Sequence, residues 1–275
     1  MSRLQVLCAT MHQTDFSKIT EMNIRSDVLF ANQADRTELT EHSFGSYTAR
    51  MITTDTRGVG INRNLLLSYA DAEICLMADD DVCYHDDYAE TVLAAFDRYP
   101  NADIILFNLT SSGSSERKIY RNRKRRWLTK WKPNPFGGPR IAFRLSPVRK
   151  CNLWFTPMFG GGAPFPSGED SLFLQDALKR GLKIYCETDV IGAVDYTQST
   201  WYTGFDKRMY WGKGAYYAAA HPHSQLLWQL YFALRTQKRA TVSFADRLRY
   251  MRQGARSFAN YKIGMTSHEE IDHCQ

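Results

Sequence analysis

Three consecutive aspartates, Asp79, Asp80 and Asp81, end the apolar run ICLMA that starts at Ile74. Adjacent like charges repel, so such a triplet at the end of a buried segment asks for a counter-ion. Carboxylates two residues apart can share one divalent cation, and Mg2+ or Mn2+ held this way keeps positions open for substrate phosphates. A solvated acidic turn is the plain alternative. Glu169 and Asp170 follow the glycine- and proline-rich FGGGAPFPSG and precede Leu172, Phe173, Leu174 and Leu178. Acidic residues in a first helical turn complement the helix dipole. Their chemical reading is a general base within hydrogen-bond reach of an acceptor hydroxyl. In GVGINRNLLLSYA, Gly58 and Gly60 permit tight turns, and Arg63 and Asn64 open a helix whose free N–H groups attract an anion. A glycine-capped loop with a surface arginine fits the same letters.

These residues need elements to position them. Leu4–Thr10, Asp27–Asn32, Met51–Thr54, Ile74–Ala78 and the run ADIILFNL read as strands. SKITEMNI, the segment after GVG, and DYAETVLAAFDRYP with its closing Pro100 read as the helices between them. Strands alternating with helices at this spacing predict an α/β fold with a mostly parallel, doubly wound sheet, whose ligands bind beyond the carboxyl ends of the strands. The acidic triplet falls at that edge. GEDSLFLQDALKRGLKIY predicts a helix leading into a strand, and the chain is then helical and basic to its last residue.

With 275 residues, 44% of them hydrophobic, the chain can bury a large core, and its net charge of +6 suits anionic partners. Its six cysteines, Cys8, Cys75, Cys83, Cys151, Cys186 and Cys274, have no CxxC spacing and read as free thiols in a reducing compartment. The start, MSRLQVLCATMHQTDF, predicts neither a secretory signal nor an anchor, which points to a cytoplasmic protein. His221 and His223 have a metal-like spacing but flank Pro222 without nearby carboxylates, and read as a loop pair. The basic run Arg117, Lys118, Arg121, Arg123, Lys124, Arg125 and Arg126 suits an anionic acceptor or membrane, or solvent. Phe244, Leu248, Met251, Ala255 and Phe258 form a helical stripe with Arg247, Arg249, Arg252 and Arg256 largely off it. That stripe fits a helix lying on anionic lipid, or one packed on the rest of the protein.

The order GVGINRN, CLMADDDV, FGGGAPFPSGEDSLFL resembles the inverting family 2 glycosyltransferases with a GT-A fold, over residues 4–215. STWYTGFDKRMYWGKGA resembles a tail block of small bacterial members of the surface-polysaccharide type. The resemblance implies a catalytic domain over residues 1–215 and a basic helical extension over 216–275. It makes Asp79 and Asp81 the metal-binding pair, Asp79 and Asp80 with Arg63 and Asn64 the nucleotide contacts, Asp170 the catalytic base and Glu169 its neighbour in the acceptor site. It implies a hexosyltransferase using Mg2+ or Mn2+ and a nucleotide-sugar, a UDP-sugar being the expected donor, and a glycan or lipid-linked acceptor. Two departures stand out. Asn32, Gln33, Ala34 and Asp35 replace a cluster that begins with Asp after the second strand, and a histidine that often completes the metal shell is missing near Asp195, Tyr196 and Gln198.

Two rivals have different requirements. A sugar-phosphate nucleotidyltransferase needs a Gly-rich phosphate loop after the first strand, and ATMHQTDF has no glycine. A nucleic-acid-binding module would use the basic middle segment and leave both acidic motifs idle, so no nucleic-acid partner is expected. A non-catalytic glycan-binding relative is a further alternative.

Overall fold

A computed structural model of the protein describes residues 3–112, 122–129, 138–195 and 204–272, with side chains up to Lys262. The chain forms two compact units, Met1–Ala163 with Glu169–Ser199, and Pro164–Gly168 with Thr200–Gln275. Arg117, Lys118, Arg121, Tyr196, Gln198 and Cys274 lie outside the described residues.

The first unit runs β1 (Leu4–Met11), α1 (Lys18–Glu21), β2 (Asp27–Gln33), β3 (Glu38–Phe44), β4 (Tyr47–Thr54), α2 (Val59–Tyr69), β5 (Ile74–Asp79), β6 (Val82–Tyr84), α3 (Tyr88–Arg98), β7 (Ile104–Ser112), β8 (Arg126–Trp127), β9 (Ile141–Arg144), α4 (Leu145–Lys150), α5 (Glu169–Lys179) and β10 (Ile184–Asp195). Its sheet has the order β3-β4-β2-β1-β5-β9-β7-β10-β6, with β8 on β10. Strands β4, β2, β1 and β5 are parallel, as are β7 and β10, whereas β3, β9, β6 and β8 pair antiparallel.

Both faces of this sheet are covered, which is why its central strands are apolar along their length and do not alternate. Val6, Cys8, Val28 and Phe30 face a core with Ile19 of α1 and Val92, Ala95 and Phe96 of α3. Leu7, Leu29, Cys75 and Met77 face the other, built with Leu66 of α2, Val148 of α4 and Phe173 and Leu174 of α5. This is an α/β arrangement with the sheet covered on both faces, as the sequence predicts.

Four strands depart from the sequence reading. Strand β4 begins at Tyr47, not Met51, and the hairpin before it adds β3, whose residues are mostly exposed and lack an apolar pattern. Gly45, at φ +66°, makes that hairpin's turn. Antiparallel β9 enters between β5 and β7 and makes the sheet mixed. Strand β6 follows the acidic triplet yet pairs at the far edge with the last turns of β10, where register shifts bend the long strand.

The second unit holds α6 (Lys207–Ala220), α7 (Gln225–Arg235) and α8 (Phe244–Asp272). Helices α6 and α8 meet backbone to backbone: a Cβ on Gly214 would overlap the Met251 carbonyl, and one on Gly254 the Trp211 carbonyl. The stripe expected on the last helix is largely spent there. Met251 is fully buried with Tyr210 and Ala233, Leu248 packs beside them, and Phe258 sits edge-on to Phe165. Among the described residues, no helix is long and apolar enough to cross a membrane.

The described cysteines are all free thiols: Cys8, Cys75 and Cys186 are buried, Cys151 is half-buried and Cys83 is exposed on β6. The His221 ring stacks on Trp228 at 4.8 Å, as part of a helical contact. Of the basic run, Arg125, an exposed residue, pairs with Glu187 at 2.5 Å and Asp189 at 3.1 Å.

Candidate active site

The site begins where β5 ends. Asp79 is its last residue, and Asp80 and Asp81 turn the chain into β6. The Asp80 carboxylate accepts a hydrogen bond from the Thr10 hydroxyl at 2.5 Å, which anchors it to the end of β1. The backbone carbonyl of Asp81 accepts the Asp195 N–H at 3.0 Å, so β10 delivers a fourth carboxylate to the turn. The Asp81 Oδ1 is buried without a partner. Burial, together with Asp79 and Asp80, pushes its carboxyl up to about 7. A buried, unpartnered carboxylate oxygen among like charges is what a cation would satisfy, and an all-oxygen set suits Mg2+ or Mn2+. Among the described residues, no three His, Cys, Asp or Glu side chains already converge as a metal cage.

The opposite wall is the start of α5. Glu169 is 1% exposed and Asp170 is 6% exposed. Between them and Asp79 lies Arg63, itself 1% exposed. Its Nη2 donates to Asp79 at 2.9 Å, and its Nη1 donates to Glu169 at 3.2 Å and to Asp170. The two acidic motifs thus share one guanidinium. Arg63 also lies over the Phe155 ring, which stacks on Phe173 of α5.

The sequence places Arg63 and Asn64 at the opening of a helix beside an anion. In the structure α2 opens at Val59, whose N–H donates to the Gly161 carbonyl at 2.9 Å. Arg63 therefore sits in the second turn and faces carboxylates, and the first N–H of the helix is already taken. Asn64 uses both ends of its amide on the Phe155 backbone, at 2.8 Å each. Its neighbour Asn62 donates to the Ala31 carbonyl at 2.7 Å, at the end of β2. Successive residues of α2 thus tie down a strand end, the carboxylates and the segment before the glycine loop.

The glycines make this packing possible. A Cβ on Gly60 would overlap the Thr156 carbonyl, and one on Gly160, at φ +109°, would overlap Val59 and crowd the Glu169 carboxyl. Gly138, at φ +58°, lies over the cluster, where a Cβ would stand 3.1 Å from Asp79 Oδ2 and 3.5 Å from both Arg63 and Asp170.

Two opposed influences act on Asp170. The dipole of α5 favours an ionised Asp170, but three carboxylates surround a single cation in a dry setting. Burial holds the Asp170 carboxyl well above its ordinary range against the pull of Arg63, and Glu169 and Asp79 raise it further. Such a group is a stronger base once its proton leaves.

Gly138 has no distinguishing motif in the sequence, and Asn62, although inside GVGINRN, carries no mark that sets it beside Arg63 and Asn64. The signal for Thr10 was a hydroxyl closing an otherwise apolar strand.

Residues 26–155 match the family described as Glycosyl transferase family 2. That match covers just under half of the chain and lies within the α/β unit, and together with the fold it supports a family 2 glycosyltransferase of the GT-A fold. The structure of S. aureus TarS 1-349 in complex with UDP-GlcNAc is similar with a TM-score of 0.57 and 13% identity, over 94% of this chain and 72% of that one. The mannosyltransferase PcManGT from Pyrobaculum calidifontis, in complex with GDP-Man and Mn2+, is similar with a TM-score of 0.51 and 13% identity, over 94% of this chain and 87% of that one. At these identities the likeness is one of fold. No curated protein sequence matches the chain.

Proposed function

We propose that the protein is a metal-dependent, inverting glycosyltransferase that moves a sugar from a nucleotide-sugar, a UDP-sugar first among the candidates, to a hydroxyl of a glycan or glycolipid in bacterial surface-polysaccharide synthesis. The observation that carries this reading is the meeting of Asp79, from the donor-side motif, with Glu169 and Asp170, from the acceptor-side motif, on Arg63. Such convergence supports reading the two distant stretches as one reaction centre. TarS with UDP-GlcNAc and PcManGT with GDP-Man and Mn2+ support a nucleotide-sugar donor and a divalent metal. Free thiols at every described cysteine support a reducing, cytoplasmic setting.

Asp79 and Asp81 would hold the cation, whose chemistry is to neutralise charge on the departing diphosphate. Asp80, fixed by Thr10, borders the nucleotide. Arg63 keeps Asp170 in place, and Asp170 takes the proton of the acceptor hydroxyl as that oxygen attacks the anomeric carbon from the face opposite the leaving group. One displacement inverts the centre, by the same opposed-face logic as in inverting glycosidases. Glu169 orients the acceptor.

The test joins turnover to donor binding. Asp170→Asn keeps the shape and removes the base, so turnover should fall by about a hundred- to ten-thousand-fold while calorimetric affinity for UDP with Mn2+ stays close to the parent. Near-normal turnover, or retention of configuration in the product by NMR, would refute the assignment.

A further inference from the structure

Helix α7 turns a row of large apolar side chains outward. Leu226 is 63% exposed, Leu227 71%, Leu230 42%, Tyr231 48% and Leu234 55%. At the helical angle per residue they fall within an arc of about 140°. The opposite face already anchors the helix: Gln229 and Ala233 are buried, and Phe232 packs against the Tyr210–Met251 cluster. The outward leucines therefore leave much of their apolar surface uncovered.

The charge around them is one-sided. From Lys207 to Ala245 the sequence has no Asp or Glu, and residues 204–262 carry eleven Lys and Arg against two Asp. Arg235, Lys238 and Arg239 follow the apolar face and are exposed. A second copy of the chain seated on this face would bring two such cationic borders together. An anionic bilayer instead offers acyl chains to the leucines and phosphates to the cations. With eleven residues, α7 is far too short to span a membrane and suits lying in its surface.

We propose that α7 docks the protein on an anionic membrane surface, with Leu226, Leu227, Leu230, Tyr231 and Leu234 in the acyl boundary and Arg235, Lys238 and Arg239 at the lipid phosphates. This rests on α7 and its flanks and is independent of the transfer reaction.

Sedimentation of the full chain with vesicles tests it. The protein should pellet with equimolar phosphatidylglycerol and phosphatidylcholine at low salt, and much less with phosphatidylcholine alone. Leu227→Gln combined with Leu230→Gln should keep the circular dichroism of the parent and bind about tenfold or more weakly. Lys238→Gln combined with Arg239→Gln should lose the preference for the anionic lipid. Parent protein left in the supernatant with anionic vesicles overturns the proposal, as does a leucine variant that binds like the parent. A dimer that the leucine variant dissolves, without vesicle binding, overturns it in favour of a contact between copies. Should the leucine variant not fold, the Lys238 and Arg239 variant decides, and an unchanged lipid preference rejects membrane docking.

Discussion

Arg63 serves Asp79, Glu169 and Asp170 at once while 1% exposed, so removing it would leave buried carboxylates facing each other. Arg63→Ala should cost about 3–5 kcal/mol of stability, measured by urea denaturation, whereas Arg63→Lys should keep part of that and lose the forked geometry. Asp81 should behave oppositely. Its folded carboxyl titrates at about 7 because of burial, then Asp79 and Asp80, against about 4 in an unfolded chain. Between these values the folded form holds a proton that the unfolded form releases. The contribution of Asp81 is therefore full below about pH 4 and lost as pH rises through about 7. Without divalent ions, Asp81→Asn should raise the thermal midpoint at about pH 8 and lose that gain near pH 4, while UDP no longer binds with Mn2+. A lower midpoint at the alkaline end would contradict this account of the turn. The aspartates and the Glu-Asp pair were legible because charge beside apolar runs is conspicuous. The inward turn of Arg63 was not, since its direction depends on partners that only the fold brings near.

At the level of elements, glycines decide how closely segments approach. Gly60 lets α2 lie on the Thr156 backbone, and Gly214 and Gly254 let α6 and α8 touch. Each rejects a methyl group against backbone, which cannot step aside as a flexible side chain can. Gly60→Ala and Gly254→Ala should each destabilise by about 1–3 kcal/mol, seen as lower thermal midpoints. Gly181→Ala provides the contrast: nothing stands within 4 Å, but φ is +88°, so its cost comes from backbone strain alone. The sequence showed the central parallel strands and the site helices because their apolar runs are long and bounded. It hid β3, which buries little, and β9, whose four residues are too few to show a period. The tail stripe was visible as a pattern, but its partner, α6, was not, because small residues make contacts without an apolar signature.

Across the whole molecule, chemistry and charge are segregated. The carboxylate cluster belongs to the first compact unit, while the second carries eleven Lys and Arg over residues 204–262. Because Met251 and Gly254 of α8 pack on α6, deleting residues from Ser243 onward should strip α6 of its partner. Hydrogen exchange should then show protection lost along α6; undiminished protection would mean that α6 stands without α8. The cysteines suggest a practical use for the same molecule. Cys8, Cys75 and Cys186 are sealed in the core, whereas Cys83 is exposed two residues beyond Asp81. A bulky maleimide dye should reach Cys83 before any other described thiol, placing a fluorescent reporter beside the acidic turn without engineering a new attachment point.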